Sequence, residues 1–327
     1  MREVAFIKQN KEKWLGIETV VSGNVKKNPD ELSSIYINLV NDLSFSQTYY
    51  PKSKTTIYLN HLASSIFQKI YKTRRIEKNR LVYFFKTDVP LLMYQYRKYL
   101  LYAFGFFIIF TLIGLVSAIY DKDFNDFFLS EGYVNKTVEN IKNHNAVGVY
   151  QEGSQLGSTI SLIFNNIGVG VKMYVYGIFA GVGTLLYLLI NGIMLGTIHQ
   201  LLYEYGEYNA LTEFSKGLWL HGVFEIFAMI VEAAAGLILG ASILFPRTYS
   251  RFNSLVRGFR DSFKIFISTV PFTICAGIIE GFITRYALTM PLFLDLLIIF
   301  GTFSFIAFYY FIYPQIVAKK MKADLIT

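Results

Sequence analysis

Residues 214–245 read FSKGLWLHGVFEIFAMIVEAAAGLILGASILF, and this stretch decides the fold. After Lys216 no cation occurs until Arg247, a run long enough to cross a hydrocarbon core of about 30 Å as a helix. Yet the run contains His221, Glu225 and Glu232. Ionisable groups are costly in lipid, so they belong against other helices or water. His221 and Glu225 are one turn apart, and Glu232 follows seven residues later, so one helix face carries all three. Gly236 and Gly240 form a small-xxx-small pair that admits close approach of another backbone. The stretch therefore reads as the central helix of a polytopic membrane protein.

Composition supports this. Of 327 residues, 53% are hydrophobic and 17% aromatic, with a mean hydropathy of +0.39. Soluble domains rarely combine such values with long charge-free runs. The single cysteine, Cys275, excludes a disulfide framework within the chain and any cysteine-cluster metal site. The N-terminus, MREVAFIKQNKEKW, lacks the apolar core of a signal peptide, and the C-terminus carries no lipidation signature.

Working outward, residues 246–264 hold five cations and one anion, a positive-inside loop. Spans five and six follow at about 265–286 and 292–313, and Lys319, Lys320 and Lys322 end the chain on the same side. Upstream, spans two and three are expected at about 158–180 and 184–205, joined by a turn at Gly181-Val-Gly183. Gly177/Gly181, Gly192/Gly196 and Gly277/Gly281 repeat the spacing of Gly236/Gly240. Four such pairs predict close helix packing, within the protomer or between protomers. The loop 121–157 has six acidic and three basic residues and is expected outside, with a short surface helix at 134–141. The first span is expected at about 99–120, entered through an interfacial elbow at 81–93 in which Asp88 caps and Pro90 fills a first turn.

Residues 1–98 hold 17 Lys/Arg against 8 Asp/Glu. Phe6, Asn10, Trp14, Ile17 and Val21 recur at helical period. Ser22-Gly23-Asn24 and Asn28-Pro29 break that helix, a second runs from Pro29 to about Tyr50, and Pro51 stops it. A third is expected over 55–75, with Ile57, Leu62, Ile66 and Ile70 along one side. A basic helical layer against an anionic inner leaflet explains the charge better than nucleic-acid binding.

The expected fold is all-α. A cytosolic and interfacial amphipathic layer (1–95) precedes a six-helix transmembrane domain (96–327) with both termini cytoplasmic. That topology places His221, Glu225, Glu280, His199, Asn165 and Asn166 towards the outer leaflet. Glu232 falls near mid-membrane with Lys172 as a charge partner, and Asn191 lies in an inner half. Three readings of these groups compete: hydrogen bonding across helices, a proton or ion pathway through Glu225, Glu232 and Glu280, and a metal site from His199, His221, Glu225 and Glu280. Cross-helix hydrogen bonding is the plainest, and no cofactor or metal is required. An intramembrane hydrolase is disfavoured, because G-x-S-x-G and HExxH are both missing. Gly168-Val-Gly170 and Gly181-Val-Gly183 lack the Lys-Ser/Thr of a phosphate loop.

Several short stretches resemble the stage II sporulation protein M family. In the polar part they are Phe6-Ile-Lys-Gln-Asn-Lys-Glu-Lys-Trp14, Thr48-Tyr-Tyr-Pro51 and Tyr58-Leu-Asn60. In the membrane part they are Phe164-Asn-Asn-Ile167, Gly181-Val-Gly-Thr184, Asn191-Gly192 with Leu195-Gly196, and His221-Gly-Val-Phe-Glu225 followed by Ala235-Gly236 and Gly240. The resemblance implies a multi-pass protein of the bacterial cytoplasmic membrane with no established enzymatic activity. In spore formers the namesake anchors peptidoglycan-degrading proteins during engulfment. The chain is expected to be a non-enzymatic scaffold, homo-oligomeric, recruiting membrane or envelope proteins. The alternative is a transporter or channel using Glu225, Glu232 and Glu280. The family supplies no catalytic residues to carry over.

Overall fold

Apolar residues at helical period produce three helices in the first eighty residues of the computed structural model: α1 (Glu3–Val21), α2 (Pro29–Tyr49) and α3 (Lys54–Arg74). The structure describes residues 2–22, 29–74, 80–121, 123–143, 145, 148, 154–205 and 208–324. The expected break between α1 and α2 at 23–28 lies outside them, as does Arg75. The three helices close on Phe6, Trp14, Ile17, Leu39, Leu43, Leu59, Leu62 and Ile66. Phe6 stacks on Phe45 with ring centroids 4.9 Å apart. The Trp14 indole N–H donates to Asp42 Oδ2 at 2.8 Å, so its polar edge is satisfied where its rings are buried. Ile57, expected on the apolar side of α3, is 69% exposed. At about 100° per residue it stands half a turn out of phase with Ile66. Trp14→Ala should cost this unit about 3–5 kcal/mol, read as lost amide-exchange protection in α1–α3 of the intact protein.

The chain divides into two units, Met1–Arg80 and Leu81–Thr327, so the boundary falls before the expected 95. The reason is continuity. A short helix α4 (Arg80–Tyr83), a π-helical turn (Phe84–Asp88) and α5 (Val89–Tyr120) form one helical run. The expected elbow is instead a kink at Tyr96 (φ −103°, ψ 15°) inside α5. Asp88 makes no capping hydrogen bond; it accepts from Lys264 Nζ at 2.8 Å. The carbonyls of Phe85 and Lys86 accept from the Tyr309 and Tyr313 hydroxyls at 2.9 and 3.2 Å. The π-helical turn is thereby tied to a second one at Phe308–Ile312 and to the residue after it.

The second unit continues with α6 (Asp123–Leu129), α7 (Glu131–Lys142), α8 (Gln155–Val175), α9 (Val182–Tyr205), α10 (Tyr208–Leu244), α11 (Arg251–Ile278), α12 (Leu292–Ala307) and α13 (Tyr313–Asp324). No strand occurs among the described residues. Five helical runs are long and apolar enough to cross a membrane: Arg80–Tyr120, Val182–Glu204, Lys216–Leu244, Arg251–Tyr286 and Leu292–Ala323. The expected second span, α8, does not reach that apolarity. Asn165, Asn166, Lys172 and its glycines lower it, and its buried face (Thr159, Asn166, Gly170, Met173, Tyr174) is half polar.

α10 is the central helix. Of its most apolar window 67% is buried, against 11% for the last run, and it packs on α5, α8, α9, α11 and α12. The basic stretch 246–264, expected as a loop, is mostly helix: α11 begins at Arg251, with the Ser250 hydroxyl accepting from the Asn253 N–H at 3.3 Å. Ser254, Gly258, Asp261, Ser262 and Ile265 form its buried stripe, so packing extends the helix below the apolar span. The acidic segment carries α7 where 134–141 was expected helical, with Val134, Thr137 and Ile141 buried.

All four glycine pairs are used inside the protomer. A methyl group on Gly192 or Gly196 would strike Phe110 or the Thr111 carbonyl of α5. One on Gly277 or Gly281 would strike Ile163 or Thr159 of α8. Gly177 meets the Gly236 carbonyl, and Gly240 meets the backbone of Ala180-Gly181. Gly181 itself has φ +83°, a left-handed conformation open to glycine at no steric cost.

Candidate functional site

α10 and the irregular end of α11 assemble the polar site. α10 presents His221 and Glu225 one turn apart. After α11, a π-helical turn (Ile279–Ile283) carries Glu280, and a 3-10 turn (Thr284–Tyr286) follows it. The three groups meet: one ligand atom from each of His221, Glu225 and Glu280 lies within 4.8 Å of the other two. His221 Nε2 is 3.8 Å from Glu280 Oε1. On the other side of the ring, His221 Nδ1 is 3.2 Å from Thr284 Oγ1. That hydroxyl donates to the Ile279 carbonyl at 3.3 Å. Its oxygen is then open to accept from an imidazole N–H, and a backbone hydrogen bond to Gly217 holds the same ring. π turns recur at functional positions, and here one turn brings both Glu280 and Thr284 against His221.

Beside this cluster lies a cavity of about 320 Å³, room for several waters. His221, Glu225, Glu232, Asn165, Asn166, Asn191 and Thr273 supply its polar wall. Phe128, Leu129 and Tyr133 of the acidic segment close the same end, where Leu129 and Val134 pack on Leu201 of α9. Glu232 accepts from Thr269 Oγ1 at 2.8 Å, and its carboxylate fills the space over Gly170. Asn191 donates to the Tyr187 carbonyl at 2.8 Å. Asn165 donates to Asn166 Oδ1 at 3.3 Å, and the buried Asn166 Nδ2 has no acceptor among the described residues. Among those residues no Lys or Arg forms an ion pair with Glu225, Glu232 or Glu280.

Two expectations need correction. Lys172 does not pair with Glu232: its side chain is exposed, and Thr269 holds the carboxylate. His199 does not join the His221 cluster. Its Nδ1 sits 2.7 Å from the Leu195 carbonyl of its own helix, and its ring lies against Trp219 at 5.9 Å.

Four residues escaped the sequence reading. Thr284 stands four residues after Glu280, the same i,i+4 spacing as His221 and Glu225, and that spacing was the available signal. Thr269 and Thr273 recur one turn apart on the buried face of α11. Asp295, fully buried in α12, has no hydrogen-bond donor among the described residues and meets the Lys216 ammonium at 4.0 Å. A carboxylate within a leucine-rich run was its signal.

The family model for stage II sporulation protein M matches residues 103–285, more than half of the chain. The chain belongs to that family. The match to the stage II sporulation protein M family begins within α5 and ends just past Thr284, so it contains His221, Glu225, Glu232, Glu280 and all four glycine pairs. It leaves α12 and α13 outside. A second model, a domain of unknown function (DUF8413), matches residues 4–72 and coincides with the three-helix unit. No curated protein and no solved structure matches the chain.

Proposed function

We propose that this family member is a non-enzymatic, multi-pass protein of the bacterial cytoplasmic membrane that handles a cation inside its helix bundle. One observation carries the reading: a cavity in the second unit is walled by the Glu225 and Glu232 carboxylates and by asparagine amides, with no Lys or Arg paired to either carboxylate among the described residues. Carboxylates in an apolar interior attract a cation or a proton, and intramembrane carboxylates commonly lie on ion pathways. In this reading α8 is a sixth crossing helix, less apolar because its polar face turns to the cavity. Both termini and the basic start of α11 lie inside, and the acidic segment lies outside.

The scaffold role keeps one observation of its own. The first unit has a separate hydrophobic core and a separate family match, the arrangement of a docking module carried by a membrane unit. The glycine pairs that would have offered an oligomer interface are occupied within the protomer.

Reconstitution into vesicles with an internal cation indicator separates the two. Wild-type protein should pass a cation, and Glu225→Gln should reduce passage at least tenfold at unchanged size-exclusion behaviour. Equal flux in the two proteins, or none in wild type, would overturn cation handling and leave the scaffold.

A further inference from the structure

We infer that His221, Glu225 and Glu280 form a binding site for one divalent transition-metal ion of the zinc class, a reading that rests on the cation-handling function above.

The donor set comes first. One imidazole and two carboxylates suit zinc, manganese or ferrous iron, whereas calcium and magnesium favour oxygen ligands alone and more of them. Geometry follows. Three atoms no more than 4.8 Å apart share a point at most about 2.8 Å from each. An inward shift of about 0.6–0.8 Å then gives metal–nitrogen and metal–oxygen distances of about 2.0–2.2 Å. A rotamer adjustment of two glutamates supplies that shift.

The imidazole is oriented for the task. The Thr284 hydroxyl gives its proton to the Ile279 carbonyl and so can accept from Nδ1–H. This arrangement favours the tautomer with its lone pair at Nε2, on the side of Glu280 Oε1. Metal-ligating histidines are held in this way, the second nitrogen donating to an acceptor behind the ring. A lone pair and two carboxylates turned to one point repel one another unless a cation or a proton lies between them.

The surroundings also suit a metal. His221 and Glu225 line the cavity, while Glu280 lies beside them outside its wall. A bound ion would have three protein ligands and a remaining position facing the cavity, where water or a passing solute can coordinate. Structural zinc sites, by contrast, are closed by four protein ligands.

The test uses the full-length protein, purified in detergent and stripped with a chelator. Titration with Zn²⁺ against a chromophoric competitor should give one equivalent. His221→Ala and Glu280→Gln should each weaken binding at least 100-fold, and His199→Ala should leave it unchanged. Should His221→Ala fail to fold, His221→Cys loaded with Co²⁺ keeps the question open to a positive answer. A thiolate-to-cobalt charge-transfer band absent from wild type would place residue 221 on the metal. No stoichiometric Zn²⁺ binding by wild type, or equal binding by the Glu280→Gln variant, would overturn the site. Glu225-dependent flux of another cation without metal binding would sink the metal site and spare the function. One bound equivalent without flux would support the metal site and sink the passage.

Discussion

Gly236→Val is expected to deprive the second unit of its folded state. A Cβ at 236 would stand 2.7 Å from the Met173 carbonyl and 3.0 Å from Thr184 Cγ2, and it would overlap the Thr184 hydroxyl. That hydroxyl already donates to Met173 O at 2.8 Å, so it cannot swing away without breaking a buried hydrogen bond. The contact is reciprocal, because Gly177 faces the Gly236 carbonyl and Gly240 faces Gly181. Backbone meets backbone, and no flexible side chain is available to give way. Overpacking a core commonly costs about 1–3 kcal/mol. Here the central helix would have to leave its neighbours, so the loss should exceed about 3 kcal/mol. Gly105→Val and Gly301→Val are the controls, since neither glycine has a foreign atom within 4 Å of its added Cβ. They should stay within about 1 kcal/mol of wild type, the small intrinsic cost of a β-branched residue in a helix. Thermal unfolding and protease resistance in detergent read the difference. Similar behaviour of Gly236→Val and Gly105→Val would mean that α10 does not pack as described.

The same contacts show how much was legible in the sequence. The central helix was, because a long cation-free run and three ionisable groups on one face have few other solutions. The glycine pairs were visible as a spacing, but their partners depend on which helices lie side by side, and spacing does not encode adjacency. Helix α8 was read as an ordinary span because its length fits. Its Thr159, Asn166 and Gly170 instead serve a buried face. The basic stretch at 251–264 was read as a loop because its cations dominate the count. The stripe of Ser254, Gly258, Asp261 and Ser262 beneath them was missed, since small polar residues carry little hydropathy signal. His221 and Glu225 were found together because they share a helix. Glu280 joined them only through a π turn, which a 3.6-residue period cannot anticipate. Lys172 was paired with Glu232 by depth alone, yet depth says nothing about the direction a side chain takes around its helix.

Glu225→Leu is expected to stabilise the protein and abolish cation passage, and that combination separates the functional reading from the structural one. Within the described residues no hydrogen-bond donor is assigned to Glu225, and no cation pairs with it. It stands beside Glu280 and lines the cavity wall. A carboxyl in such a place stabilises nothing it touches. Even a buried ion pair can often be replaced by apolar side chains of similar volume with a neutral effect or a gain of about 1–4 kcal/mol, and an unpaired carboxyl has no Coulombic gain to lose. The variant should therefore unfold about 3–6 °C higher, while flux falls at least 100-fold. Glu232 gives the contrast, because it accepts from Thr269 within the bundle. Glu232→Leu leaves that hydroxyl only its second acceptor, the Phe266 carbonyl at 2.7 Å, and should gain less stability. A polar group retained against stability is what selection for a site leaves behind. A group that fixes helix packing would show the reverse. If Glu225→Leu unfolds several degrees lower than wild type, the carboxyl holds the bundle together and the cavity beside it is a by-product of packing.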